Sequence, residues 1–120
     1  MIFKDITDAN FNGIDISSHH EFSHEKVYYY EDPKVGIKSL IAIHDSVKGP
    51  AIGGCRFRQY DSFDAGLTDV LRLSKGMTDK NNIAQIPFGG GKAVIFQQDQ
   101  KSEALLESFA TFLNLLQGAY

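Results

Sequence analysis

Ile37-Lys38-Ser39-Leu40-Ile41-Ala42-Ile43-His44 carries a continuous apolar run from Leu40 to Ile43. Such a run, at strand length, marks a strand buried on both faces, and therefore a sheet covered by helices on either side. Upstream, Val27-Tyr28-Tyr29-Tyr30 is rich in β-formers and reads as a neighbouring strand. Between them, Asp32-Pro33-Lys34-Val35-Gly36 is a turn, because proline presets φ and glycine allows positive φ. Downstream, Lys48-Gly49-Pro50 turns the chain again. Ala51 to Tyr60 reads as a third strand, interrupted at Gly53-Gly54, and Ala93 to Phe96 as a short buried strand after a chain break at Gly89-Gly90-Gly91.

Two helices fit the remaining pattern. Asp61-Ser62 offers an N-cap and Asp64 suits the helix dipole. From Phe63 to Asn81, the residues Phe63, Leu67, Val70, Ser74 and Met77 fall on one stripe. A second helix begins near Ser102; Leu105, Leu106, Phe109, Phe112, Leu113 and Leu116 form a wide apolar stripe, with Gly118 as C-cap. Residues 1–25 are polar and weakly patterned, and a short helix or loop is expected there. The order β-β-β-α-β-α predicts an α/β fold: a mixed β-sheet flanked by helices, a three-layer sandwich, in a single domain over residues 1–120.

Composition excludes several classes. The 120 residues are 42% hydrophobic and 22% charged, which suits one globular domain with a real core. The net charge of −3 disfavours a nucleic-acid partner or an anionic membrane surface. No segment approaches the ~20 apolar residues of a membrane span, and Met1-Ile2-Phe3-Lys4 does not open a signal peptide. One cysteine, Cys55, rules out an internal disulfide and suits a cytoplasmic protein; Cys55 is expected to be a small, partly buried side chain.

The chemistry concentrates between Gly49 and Ile95. Met77, Lys80 and Asn81 share the end of one helix, where the dipole favours the Lys80 cation. Lys92 follows three glycines, whose missing side chains would let a substrate approach the backbone, and enters an apolar strand. If Lys80 and Lys92 meet, desolvation and mutual repulsion both favour a neutral Lys92 able to act as a base. Lys80 could then hold a carboxylate as a point charge. The plain alternative is a turn and a solvated helix end. Gly89-Gly90-Gly91-Lys92 is not a Walker A loop: it lacks the first glycine at the required spacing and the Ser/Thr after lysine.

Gly49-Pro50-Ala51-x-Gly53-Gly54-x-Arg56, Leu71 to Asn81, and Gly89-Gly90-Gly91-Lys92 resemble the leucine/phenylalanine/valine dehydrogenase family in order and spacing, from about Val27 onward. The resemblance implies an NAD-dependent oxidoreductase that converts an L-amino acid to its 2-oxo acid and ammonia. By similarity, Lys92 is the catalytic base, Lys80 binds the substrate carboxylate, Gly53 and Gly54 line the site through their backbone, and Met77 packs beside it. Related glutamate dehydrogenases carry lysine at the position of Ile52; the apolar Ile52 implies an aliphatic or aromatic substrate. Asp79 departs from the family, which has an aromatic residue there; on a helix it is expected to face solvent. The family's catalytic aspartate lies just beyond the position of Tyr120, and its dinucleotide-binding domain further on. The chain is therefore expected to be the substrate-binding and dimerisation domain, lacking the NAD-binding domain, inactive by itself, part of a homo-oligomer and without a metal. The competing reading is a non-catalytic assembly or amino-acid-binding module.

His20-Glu21-Phe22-Ser23-His24 fits the zinc-protease pattern H-E-x-x-H. It is read as a coincidence, because the stretch has no apolar back face to bury a helix. Arg56 and Arg58 share one face of their strand; an exposed face or subunit contact is expected.

Overall fold

The computed structural model describes residues 1–19, 23–98 and 100–120. The central strand is β8 (Gly89–Phe96). It pairs antiparallel with β5 (Ile37–Asp45) on one side, and on the other runs parallel to β6 (Ala51–Ile52) and β7 (Cys55–Arg58). Beyond β5 come β4 (Lys26–Asp32) and the edge strand β1 (Ile2–Asp5), both antiparallel to their neighbours. The sheet is mixed, as expected. Parallel strands need a crossover; helix α2 (Phe63–Ile83) supplies it between β7 and β8.

The alternation of side chains across the sheet sorts the core into two layers. Val27, Tyr29, Leu40, Ala42 and Val94 meet Leu67, Val70 and Leu71 of α2. Tyr30, Ile37, Ile41, Ala93 and Ile95 meet Leu105, Phe112 and Leu116, contributed by α3 (Glu103–Leu115) and its C-cap. The three consecutive tyrosines are thus divided between faces. Tyr30 stacks on Phe112 with ring centroids 5.0 Å apart, and its hydroxyl lies 2.8 Å from Ser108 Oγ. Both helices begin where the sequence indicates: Ser62 Oγ accepts from Ala65 N–H, and Ser102 Oγ accepts from Leu105 N–H. At the far end of α3, Gln117 and Gly118 adopt positive φ, 51° and 85°, a left-handed ending of the kind glycine favours.

Several expectations are corrected. The N-terminal region contributes β1, a small hairpin of β2 (Asn10–Phe11) and β3 (Ile14–Asp15), and one turn of helix α1 (Ile16–His19). Strand β1 forms because β4 presents an open edge; all four of its residues remain exposed, so no alternation betrays it. Leu106, placed in the apolar stripe of α3, is half exposed. Phe63 and Met77 are only partly covered on α2; Leu71, Thr78 and Asn81 are buried instead. Cys55 is exposed rather than partly buried.

The largest correction concerns Gly89-Gly90-Gly91, which lies inside β8 and does not break the chain. Here glycine is demanded by close packing. A methyl group on Gly90 would overlap Thr78 Oγ1 and backbone N, and lie 2.6 Å from Thr78 Cα. On Gly91 it would lie 2.7 Å from Tyr120 Cδ1. The last turns of α2 therefore rest on bare strand backbone.

This packing sets up a contrast between two glycines. Gly90→Ala forces α2 off the strand and is expected to cost at least ~2 kcal/mol. Gly76→Ala, inside α2 with nothing within 4 Å of the added methyl, is expected to stabilise by ~0.5–1 kcal/mol. Urea unfolding of both variants checks this; equal effects would contradict the packing account.

Candidate active site

The site is built where the last turns of α2 and the break between β6 and β7 meet the start of β8. Gly53 and Gly54 lie in that break. A methyl on Gly53 would collide with Gly91 O and lie 3.4 Å from Met77 Cγ. On Gly54 it would stand 3.2 Å from Lys92 Nζ. Gly53, Gly54, Met77 and Lys92 are thus gathered in one place, as the sequence analysis anticipated. Lys92, on β8 opposite Ala42, is partly exposed. Ile52 pairs with Gly90 and leaves 42% of its surface open. Lys80 stands exposed in the last turn of α2, where a cation suits the helix dipole. Asp79 is exposed and pairs with Lys75 one turn earlier on α2.

A polar framework that sequence reasoning missed holds these elements together. The β5–β8 register shifts between Ile43 and Asp45, leaving His44 as the extra residue. Bulges re-aim side chains, and His44 Nδ1 lies 2.8 Å from Thr78 Oγ1. Asn81 Nδ2 donates to Gly89 O at 2.8 Å. Ser74, Thr78 and Asn81 are all buried. Their spacing of four and three was a legible signal: one face of α2 turns polar toward its end while remaining covered. His24 is buried beside His44, with ring centroids 4.9 Å apart, and its Nε2 lies 2.8 Å from Ser74 Oγ and 3.1 Å from Leu71 O. That nitrogen is engaged in the fold. His20, Glu21 and Phe22 of the H-E-x-x-H pattern lie outside the described residues. Among the described residues, no group of three His, Cys, Asp or Glu side chains could hold a metal ion.

Two further residues had little signal in the sequence. Asp69, nine-tenths buried on α2, receives Tyr60 Oη at 2.6 Å, Arg56 at 3.0 Å and Arg72 at 2.8 Å. This ties edge strand β7 to α2 and gives Arg56 a partner within the domain. Arg58 instead lies over the Tyr60 ring, 5.7 Å from its centroid. Tyr120 Oη lies 3.0 Å from Gly53 O and 2.5 Å from Gly54 O. Burial pushes the Tyr120 phenol up, with the neighbouring Cys55 adding to it, so it remains a hydrogen-bond donor.

Residues 24–120 match the family described as Glu/Leu/Phe/Val dehydrogenase, dimerisation domain. The chain belongs to that family. It is 48% identical over 99 residues to phenylalanine dehydrogenase of Caldalkalibacillus thermarum, covering 81% of this chain and 27% of that protein. It is 43% identical over 101 residues to leucine dehydrogenase of Geobacillus stearothermophilus, covering 82% and 28%. The crystal structure of L-tryptophan dehydrogenase from Nostoc punctiforme superposes with a TM-score of 0.78 at 44% identity, over 81% of this chain and 30% of that one. A more distant likeness, TM-score 0.52 at 26% identity over 67% and 18%, is to the hetero-hexameric glutamate dehydrogenase of Thermus thermophilus. The chain thus spans less than a third of the length of the family members it matches. Strand β1 and the β2–β3 hairpin precede the matched region.

The polar framework makes this family domain sensitive to acid. Burial holds the His44 imidazole below its ordinary value of 6.5, against the pull of Asp45, Asp79 and Glu25, with Lys75 adding to the lowering. The unfolded chain then takes up that proton first, so stability falls as pH drops below 6.5. Burial alone would raise the Asp69 carboxyl; the hydrogen bonds from Tyr60 and Arg72 and the charges of Arg56 and Arg72 outweigh it and hold it below 3.8. Its contribution is present above that value and is lost at lower pH. Thermal melts between about pH 7.5 and about 5 are expected to show a falling Tm that His44→Asn flattens. An unchanged slope would remove His44 from this account.

Proposed function

We propose that this chain is the substrate-binding domain of an NAD-dependent L-amino-acid dehydrogenase, acting by oxidative deamination on an apolar amino acid such as leucine, valine or phenylalanine. The observation that carries the reading is the seating of Lys92 Nζ against the side-chain-free Gly53–Gly54 loop, with Met77 beside it. A small substrate could approach bare backbone there and remain within reach of one amine. The relatives named phenylalanine, leucine and tryptophan dehydrogenase support the same chemistry.

In this reading NAD, held outside the residues of this chain, would accept the hydride of the substrate Cα and leave an imino acid. Water adds to the imino carbon as Lys92 Nζ takes one of its protons; Lys92 returns that proton to the nitrogen of the carbinolamine and then takes the hydroxyl proton as ammonia leaves, giving the 2-oxo acid. Lys80, as a fixed cation, holds the substrate carboxylate. The exposed, apolar Ile52 offers contact to an apolar side chain and no partner for a second carboxylate. NAD is the hydride acceptor assigned by this reading. The residues of this chain do not fit it: the glycine run lies inside a paired strand and is filled by Thr78 and Tyr120, whereas a dinucleotide fingerprint needs a strand-to-helix turn. A homo-oligomeric, cytoplasmic enzyme completes the reading. The hetero-hexameric glutamate dehydrogenase relative supports assembly into an oligomer.

The test is turnover by a polypeptide that joins this chain to a dinucleotide-binding domain, followed by NADH absorbance with L-leucine and L-phenylalanine. Lys92→Ala is expected to lower kcat at least about a hundredfold, as loss of a general base does. Lys80→Ala is expected to raise KM for the amino acid more than it lowers kcat. Retained turnover in the Lys92 variant would overturn the assignment of the base. The 120-residue chain alone is expected to produce no NADH.

A further inference from the structure

We infer that Tyr120 is a positioning residue for the substrate loop: its hydroxyl sets the orientation of the Gly53–Gly54 backbone against Lys92. The inference rests on the reading of that loop as the substrate site, and adds a residue to which neither the sequence motifs nor the family resemblance gave a role.

Four observations converge on it. The Tyr120 hydroxyl lies 3.0 Å from Gly53 O and 2.5 Å from Gly54 O, so its one proton is shared between, or given to one of, two successive carbonyls. Gly54 O also accepts from Ala93 N–H at 3.1 Å, which uses its second lone pair and locks it to β8. The tyrosine ring occupies the space that a side chain on Gly91 would take. The segment carrying Tyr120 is itself pinned, because Ala51 N–H donates to Ala119 O at 3.1 Å, just before the loop.

The physical consequence follows from peptide geometry. In a planar trans peptide, the N–H points opposite to the C=O. Holding Gly53 O toward Tyr120 therefore fixes the direction of Gly54 N–H, at the residue whose missing side chain would meet Lys92 Nζ. Glycine pairs have the widest conformational freedom of any dipeptide. Without the Tyr120 bond, Gly54 O stays held by Ala93 N–H, but the Gly53–Gly54 peptide loses the contact that orients Gly53 O, and a substrate bound there would lose its placement relative to Nζ. Phenylalanine at 120 would keep the ring packing on Gly91 but not the bond. The hydroxyl is therefore separable from the fold.

Tyr120→Phe tests this, in the same joined polypeptide used for Lys92. The expected result is a roughly tenfold rise in KM for the amino acid, the scale of one lost hydrogen bond, with a smaller change in kcat. In the 120-residue chain, the carbonyl 13C resonances of Gly53 and Gly54 are expected to shift while those of β4 and β5 stay in place. A lowered Tm with unchanged KM and unmoved Gly53 and Gly54 carbonyls would reduce Tyr120 to a packing residue and overturn the inference. If the unsubstituted polypeptide shows no turnover, the reading of the site fails; if it turns over and Tyr120→Phe matches it in KM, only the inference fails.

Discussion

The close approach of α2 and Tyr120 to the bare backbone of β8 is the constraint on which the rest of the domain depends. Three consecutive glycines in a strand are unfavourable on their own, because they lose the most backbone freedom and bury no side chain. They are stabilised here by ladders on both sides and by atoms filling the space that Cβ would occupy. Thr78 sits on Gly90, Asp45 O on Gly89 and the Tyr120 ring on Gly91. The same approach brings Met77 to Gly53 and places Lys92 immediately after the contact. Packing and site geometry are therefore one feature seen from two sides.

Polar groups then remove the remaining freedom. Apolar contacts between α2 and the sheet are tolerant of sliding, since methyl groups have no preferred direction. Hydrogen bonds are directional. The His44–Thr78 and Asn81–Gly89 bonds hold the end of α2 to the sheet. At its other half, Asp69 holds the helix to edge strand β7 through Arg56 and to Tyr60 in the connection that follows β7. No buried side-chain polar atom among the described residues is left without a partner. That matters most here because an unpaired buried group costs more than a single bond returns.

Much of this was legible in the chain. The apolar run at Leu40–Ile43 announced a strand covered on both faces, and the two layers of core bear that out. Periodicity and caps located both long helices, since Ser62 and Ser102 are local signals that depend on neighbours three residues away. The gathering of Gly53, Gly54, Met77 and Lys92 was also anticipated, through the motifs that carry the family resemblance. What went unread depends on contacts distant in sequence. Strand β1 is ordered by an edge 25 residues or so away and buries none of its own residues. Tyr120 acts on residues 66 and 67 positions earlier.

Local chemistry thus determined the long helices, the buried strands and the helix caps, because periodicity, capping and turn preference are short-range effects written within a few residues. Tertiary structure alone decided that the glycine run is strand rather than break, and that His44, Asn81 and Tyr120 hold the elements around it. The reason is physical. A glycine's own torsional freedom permits either a turn or a strand, and only the atoms that come to occupy its missing side chain select between them.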